Sequence, residues 1–177
     1  MNIVLSTLNA KYIHTNLAIR YLKAAARPEF DCELAEYTIK DPAFNIVSDL
    51  FQKKPDVVGF SCYIWNINET IAVIRMLKTV LPNVKIVLGG PEVSYDVHDW
   101  LRKHEEIDYI IMGEGEVSFK EMLRFFNGDI ELEKVPGICY LEDGKIKIHA
   151  QPPKVDLREI ASPFRFEEDL PHISKRI

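Results

Sequence analysis

The residues best suited to hold a ligand fall in four short stretches, each following a run of aliphatic and β-branched residues. Leu8–Asn16 carries Asn9, Lys11, Tyr12 and His14, and Ser61–Ile67 carries Ser61, Tyr63 and Trp65. Gly89–Tyr95 opens with Gly89-Gly90-Pro91-Glu92, and the fourth stretch reads Gly113-Glu114-Gly115-Glu116. Paired glycines remove two side chains where a ring or backbone must approach closely, and they equally serve a tight turn that needs positive φ. A glycine turn ahead of a helix can point backbone N–H groups at a phosphate. This one is not the dinucleotide fingerprint, which belongs after the first strand; Ser118 also stands where the third glycine would be. No Gly-Lys-Ser/Thr follows, so it is not a P-loop either.

The other candidates have two readings each. The Ser61 hydroxyl suits a polar ligand group or a nearby backbone bond. His14 suits a metal, an acid–base role, or a solvated loop. Tyr63, Trp65 and Tyr95 offer aromatic cover for a large flat ligand, or simple rim packing. His98 and His104 share a stretch with Asp99, Arg102 and Glu105, the pattern of a solvated helix face. No nucleophile–base pair emerges, and no residue is assigned as catalytic or as a metal ligand.

These stretches need elements to position them, and the hydrophobic pattern supplies strands and helices in alternation. Strands are expected at Asn2–Thr7, Cys32–Ile39, Asp56–Ser61, Val84–Leu88 and Ile107–Met112. Helices are expected at Thr15–Ala26 with Leu17, Tyr21, Leu22 and Ala25 inward, and from Asp41-Pro42 to about Lys54 with Phe44, Val47, Leu50 and Phe51 inward. A third helix opens at Asn66, with Glu69 at capping-box spacing, and carries Ile67, Ile71, Ile74, Leu77 and Leu81. Asp96–His104 and a segment with Phe119, Met122, Leu123 and Phe126 inward complete the set. Five strand–helix units imply a doubly wound parallel sheet with right-handed crossovers, a flavodoxin-like α/β fold of strand order 2-1-3-4-5. In such sheets ligands bind beyond the carboxyl ends of the strands, where the four stretches lie.

After Gly128 the character changes. Gly137–Leu141 and Lys145–Ala150 flank Glu142-Asp143-Gly144, a hairpin signal. From Gln151 onward prolines and scattered charges read as an extended connector. The expected organisation is therefore a ligand-binding domain at 1–128, then a hairpin and proline-rich connector at 129–177.

The chain has 177 residues, 47% hydrophobic and 28% charged, with a net charge of −5. That is a normal globular balance, without the basic stripe that nucleic-acid binding requires. No apolar run approaches the roughly 18–20 residues needed to span a bilayer. Cys32, Cys62 and Cys139 are far apart and odd in number, which argues against a disulfide framework. With no charged leader ahead of the first strand, a reducing, cytoplasmic setting is expected.

The loops in order are more specific than any one alone. Asp56-Val57-Val58-Gly59-Phe60-Ser61, then Lys85-Ile86-Val87-Leu88-Gly89-Gly90-Pro91-Glu92, then Ile107–Glu116 with Phe119 beyond, resembles the N-terminal cobalamin-binding domain of cobalamin-dependent radical-SAM enzymes. That group includes methyltransferases and the anaerobic magnesium-protoporphyrin cyclase. The resemblance covers roughly residues 1–128, and the hairpin and connector look like the segment leading into a radical-SAM barrel.

It implies that the cobalamin nucleotide tail enters the carboxyl edge of the sheet. Ser61 would contact the tail, Gly89 and Gly90 with Pro91 and Glu92 would leave room for it, and Gly113, Glu114 and Gly115 would line its far side. The corrin would lie across the loops holding Asn9, Tyr12, His14, Tyr63 and Trp65. The cobalt-binding D-x-H-x-x-G of methionine-synthase-like proteins is missing, since His14 is followed by Thr15-Asn16-Leu17 and position 12 is Tyr12.

The cysteines cannot form C-x-x-x-C-x-x-C, so a [4Fe-4S] cluster and S-adenosylmethionine are expected only in a full-length protein, whose barrel would be the partner of this module. On its own the chain should not cleave S-adenosylmethionine. Two other readings remain: a flavodoxin-like regulatory or interaction domain without corrinoid, and an FMN binder. The second lacks the glycine-rich phosphate loop after the first strand.

Overall fold

Strands covered on both faces are expected to be largely apolar, and the first and third strands are so except for buried Ser6, Thr7, Asn9 and Ser61. In a computed structural model describing residues 1–12, 15–152, 154 and 162–164, every residue of β1 (Ile3–Asn9) and β3 (Val57–Ser61) is buried. Around them the chain runs α1 (Leu17–Ala26), β2 (Cys32–Thr38), α2 (Ala43–Lys53), α3 (Ile67–Val80), β4 (Lys85–Gly89), α4 (Pro91–Ser94), α5 (Val97–Lys103), β5 (Tyr109–Ile111) and α6 (Glu116–Phe126). A 3-10 turn at Leu132–Lys134 leads to β6 (Ile138–Glu142) and β7 (Lys145–Ile148).

The strands form one sheet in the order β2-β1-β3-β4-β5-β6-β7. β1 to β5 are parallel in the expected 2-1-3-4-5 order. The expected hairpin is present and extends the sheet, with β6 antiparallel to β5 through Ile110 opposite Cys139 and Ile111 opposite Ile138. Met112 N–H donates to the Gly137 carbonyl at 2.9 Å, tying the start of the hairpin to the carboxyl end of β5.

Side chains alternate across the sheet, dividing the core into two layers. Val4, Leu8, Val58, Phe60, Ile86 and Leu88 pack with α2, α3 and α5. Leu5, Val57, Val87 and Ile111 pack with Ile19 of α1 and with Phe119, Met122 and Leu123 of α6.

Two helices sit rotated from the expected face. In α1 the buried residues are Ile19, Arg20, Lys23, Ala24 and Ala26, while Leu17 is half exposed. In α2 the buried stripe is Ile46, Val47 and Leu50; Phe44 is 70% exposed and Phe51 also faces outward. An expected face built from the largest apolar side chains misleads here, because each helix touches the sheet along one narrow stripe at three–four spacing.

The starts of two helices also differ from the expected pattern, in which Asp41 would cap α2 and Asn66 would cap α3. Asp41 does not cap α2; its carboxylate accepts from the Thr38 N–H at 2.7 Å and closes the turn after β2, leaving Pro42 at the N-cap. Asn66 precedes α3 without any side-chain capping bond. Its amide is spent elsewhere, as described below.

Candidate functional site

The sheet opens at its carboxyl edge into a cavity of about 570 Å³ on the α1/α6 side. Its floor comes from one face of four adjacent strands: Leu5 of β1, Gly59 of β3, Val87 of β4 and Ile111 of β5. Ala18, Ile19 and Leu22 of α1 form one wall, and Phe119 of α6 the other. Gly89, Gly90 and Pro91 line one side of the mouth, and Gly113 to Glu116 the opposite side.

Two glycines let the cavity's lining side chains pack closely against the backbone. A Cβ at Gly59 would sit 2.9 Å from Leu5 Cδ2 and 3.5 Å from Phe119 Cε2, so Leu5 and Phe119 already close over that glycine. Gly115 would meet Leu22 Cδ2 at 3.1 Å.

The paired glycines play different parts. Gly90 has φ +109°, and a Cβ there would lie 2.4 Å from the Cys62 carbonyl oxygen. The ends of β3 and β4 close on each other at this point, where the Cys62 N–H donates to the Gly89 carbonyl at 2.7 Å. Gly90 therefore answers to the protein's own backbone. Gly89 lies on the same face as Val87, and a Cβ there would meet only Ile111, at 3.8 Å or more. Nothing among the described residues demands a glycine at 89.

Of the residues singled out from the sequence, Ser61, Tyr63, Gly89, Gly90, Pro91, Tyr95, Gly113, Glu114, Gly115 and Glu116 line this cavity. Asn9 and Tyr12 line a second, more polar cavity of about 880 Å³ along the outer strand β2. Trp65 lines neither but stacks on Tyr63, with ring centroids 4.5 Å apart. Glu92 lies in the first turn of α4, where its carbonyl accepts from Trp100 Nε1 at 3.3 Å. His14 lies outside the described residues.

On the loops after β1, β3 and β4, Tyr12, Ile64, Trp65 and Tyr95 are exposed, large apolar side chains at the carboxyl edge of the sheet. Sequence reasoning missed Gly59, Ala18 and Phe119 as cavity-formers. A glycine inside a β-branched strand is a sign of close approach, and that signal was available at Gly59.

The loops are fixed by two polar hubs. Asn66 is completely buried: its Nδ2 donates to the carbonyls of Leu8 at 3.0 Å and Ser61 at 3.1 Å, and its Oδ1 accepts from the Tyr63 N–H at 2.8 Å. One side chain thus locks the ends of β1 and β3 and the loop bearing Tyr63 and Trp65. Replacing Asn66 with alanine removes a bond from the Leu8 carbonyl, the Ser61 carbonyl and the Tyr63 N–H, and of these the Ser61 carbonyl keeps the Thr7 hydroxyl at 3.4 Å; each group that water cannot reach costs about 1–3 kcal/mol. We expect Asn66→Ala to lower the urea midpoint by an amount equal to about 2–4 kcal/mol. An unchanged midpoint would remove Asn66 from this role.

Glu36 is the second hub. Its carboxylate accepts from Asn9 Nδ2 at 2.8 Å, from the Asn16 N–H at 2.9 Å and from the Thr15 hydroxyl, and it pairs with the buried Arg20 guanidinium at 3.1 Å. The loop after β1 is thereby tied to β2. Asn16 in turn caps α1 by accepting from the Ile19 N–H and reaches the Tyr63 hydroxyl at 3.4 Å.

The three cysteines are buried free thiols. Burial pushes the Cys32 thiol up to about 12 and the Cys139 thiol up to about 11, and it raises Cys62 further. Such thiols are poor nucleophiles and poor metal ligands. Among the described residues no cluster of His, Cys, Asp or Glu could hold a metal ion. The native thiols keep their protons where an unfolded chain loses them, near pH 8.5 to 9. The unfolded state then binds fewer protons, so stability falls as pH rises from about 9 toward 12. A lower urea midpoint at pH 10 than at pH 7.5 is expected; equal midpoints would contradict it.

Comparison with known proteins agrees with this architecture. The model of the B12 binding domain matches residues 3–123, which span β1 to most of α6. An uncharacterized methyltransferase, PH0819 of Pyrococcus horikoshii, is 30% identical over 139 residues, covering 78% of this chain and 30% of that protein. The cobalamin-dependent radical SAM methyltransferase TokK of Streptomyces tokunonensis is 35% identical over 109 residues, covering 59% of this chain and 16% of its own length. The chain thus spans less than a third of either relative.

Among solved structures, the cobalamin-dependent S-adenosylmethionine radical enzyme OxsB superposes with a TM-score of 0.81 at 20% identity, covering 99% of this chain and 25% of OxsB. A cobalamin-binding protein from Desulfitobacterium hafniense shares the fold more loosely, with a TM-score of 0.53. Among the described residues no helix is long and apolar enough to cross a membrane. With its model matched across the five parallel strands and the cavity at their carboxyl ends, this chain belongs to the B12-binding domain family.

Proposed function

We propose that this chain is the cobalamin-holding module of a larger radical-SAM enzyme and that the cavity between α1 and α6 takes the nucleotide tail of the cofactor. The carrying observation is the cavity itself. At about 570 Å³, floored by aliphatic side chains and glycine, it suits a flat heteroaromatic base. A sugar and phosphate would follow at the glycine-rich mouth, where the first turn of α6 carries no side-chain cap. The corrin macrocycle is too broad for the cavity and belongs outside it, against the exposed rim of Tyr12, Ile64, Trp65 and Tyr95.

The residues present fit the cofactor. Gly89 keeps the floor open beside Ile111, Ser61 offers a hydroxyl beside it, and Gly113, Glu114 and Gly115 line the far side. When bound, cobalamin supplies a cobalt centre able to carry an alkyl group or a single electron. The chain's own part is to exclude water from the tail and to hold the loops after β1 and β3, through Glu36 and Asn66, so that the corrin has a fixed seat.

The radical-SAM half of the proposal is supported by relatives such as TokK, several-fold longer than this chain. The partner is then a barrel of the same polypeptide carrying a [4Fe-4S] cluster and S-adenosylmethionine. A methyl transfer, or a radical rearrangement or cyclisation, is the reaction class. The buried, unpaired thiols suit a reducing cytoplasm. The coding sequence beyond Ile177 tests this half. A C-x-x-x-C-x-x-C within about one strand–helix unit is expected, and its absence would overturn the radical-SAM assignment.

A further inference from the structure

The family match ends at residue 123, yet one residue far beyond it lines the cavity. Gln151 follows the β6–β7 hairpin, and its side-chain amide lies directly over Gly113. A Cβ built on Gly113 would meet Gln151 Oε1 at 3.1 Å and Nε2 at 3.4 Å. Gly113 has φ +70°, so the turn after β5 bends away and leaves the space that the amide occupies.

The hairpin fixes that placement. Gly137 N–H donates to the Ala150 carbonyl at 2.8 Å, and His149 N–H donates to the Ile138 carbonyl at 2.9 Å. Pro152 Cδ lies 3.1 Å from the position a Cβ would take on Gly137. Residues 149 to 152 are therefore pinned on both sides of Gln151. β6 is itself bonded to β5, whose carboxyl end forms the mouth of the cavity. Gln151 sits at that mouth by the same logic that places Gly113 there.

No hydrogen bond within the described residues uses the Gln151 amide, although its backbone is held. A primary amide offers two donors and an acceptor. The neighbouring wall from Gly113 to Gly115 offers little side-chain hydrogen bonding, apart from the Glu114 carboxylate. Resting on the functional reading above, we propose that Gln151 is a cofactor-contacting residue, its amide hydrogen-bonding the ribose–phosphate of the cobalamin nucleotide tail. The hairpin is then a working part of the cofactor site. It completes the mouth with a group that the five-stranded core lacks.

The test is equilibrium titration of the whole chain, wild type and Gln151→Ala, with two corrinoids read by their visible absorbance. One is hydroxocobalamin. The other is dicyanocobinamide, which has the corrin ring but no nucleotide. Gln151 is exposed, so Gln151→Ala should leave the thermal midpoint unchanged, and Gln151→Glu serves as a second variant. Loss of one hydrogen bond predicts about three- to tenfold weaker hydroxocobalamin binding for Gln151→Ala. Gln151→Glu should bind it more weakly still, because the carboxylate repels the phosphate. Neither variant should alter cobinamide binding.

Equal hydroxocobalamin affinity in wild type and Gln151→Ala overturns the assignment of Gln151 alone. An equal loss for both corrinoids overturns the contact with the tail. A wild-type chain that retains no hydroxocobalamin overturns the functional reading and this inference with it.

Discussion

Gly90→Ala should cost about 3 kcal/mol or more of folding stability and leave little chain able to bind any ligand. Two independent penalties add at this position. The backbone has φ +109° and ψ 169°, a region that residues with a Cβ rarely adopt. The new methyl would also lie 2.4 Å from the Cys62 carbonyl oxygen and 3.0 Å from its nitrogen. Those are backbone atoms, held by the bond from the Cys62 N–H to the Gly89 carbonyl, and they cannot rotate away as a side chain would. Relief requires parting the ends of β3 and β4, beside the mouth of the cavity. Urea unfolding of the purified variant measures the cost. A midpoint within error of the wild type would mean that these strand ends are not closed as described.

The neighbouring glycine should behave in the opposite way. Gly89→Val is expected to fold with wild-type stability or better and to lose cobalamin affinity by about a hundredfold, the equivalent of about 2.7 kcal/mol. Gly89 ends β4 in extended backbone, where a β-branched residue is favoured. Its Cβ would meet nothing closer than 3.8 Å, and the valine methyls would then project into the cavity beside Ile111. No described residue refuses that side chain, whereas a bound base does. Thermal unfolding and corrinoid titration of the same sample separate the two effects. A stable Gly89→Val chain that binds hydroxocobalamin normally would place the nucleotide tail elsewhere.

Much of this architecture was legible in the sequence, for reasons that also mark where legibility ended. Alternation of aliphatic runs with amphipathic stretches implied parallel strands, and the handedness of crossovers limited their order, so 2-1-3-4-5 followed. Asp143-Gly144 announced a hairpin, because that turn is a local property. It carried no information about which edge the hairpin would join, since pairing of β6 to β5 depends on a partner about thirty residues away.

The rotations of α1 and α2 have the same origin. Phe44 and Phe51 are large, apolar and at helical spacing, yet the sheet contacts the stripe of Ile46, Val47 and Leu50. Arg20 and Lys23 are buried in α1 although their types argue for the surface. For Arg20 the reason is Glu36, brought alongside by strand pairing that the local sequence does not record.

The site shows the same division. The strand-end loops around Gly89 and Gly113 were readable as a binding edge because parallel sheets bind ligands there. Gly59 carried a sign of close approach, but the floor that it makes with Leu5 and Val87 was not readable, because it arises from side chains of different strands sharing one face. Asn66 was legible as polar and near a helix start. Its three bonds to the ends of β1 and β3 required the strands to be in place.

The most direct measurement is hydroxocobalamin retention. The wild-type chain is mixed with a modest excess of hydroxocobalamin, desalted, and its visible absorbance compared with its protein concentration, with Gly89→Val treated in parallel. One corrinoid retained per wild-type chain and almost none on the stable Gly89→Val chain is the expected result. Retention by neither chain would contradict the central claim that this domain holds cobalamin through the cavity between α1 and α6, and equal retention by both would contradict the cavity's part in it.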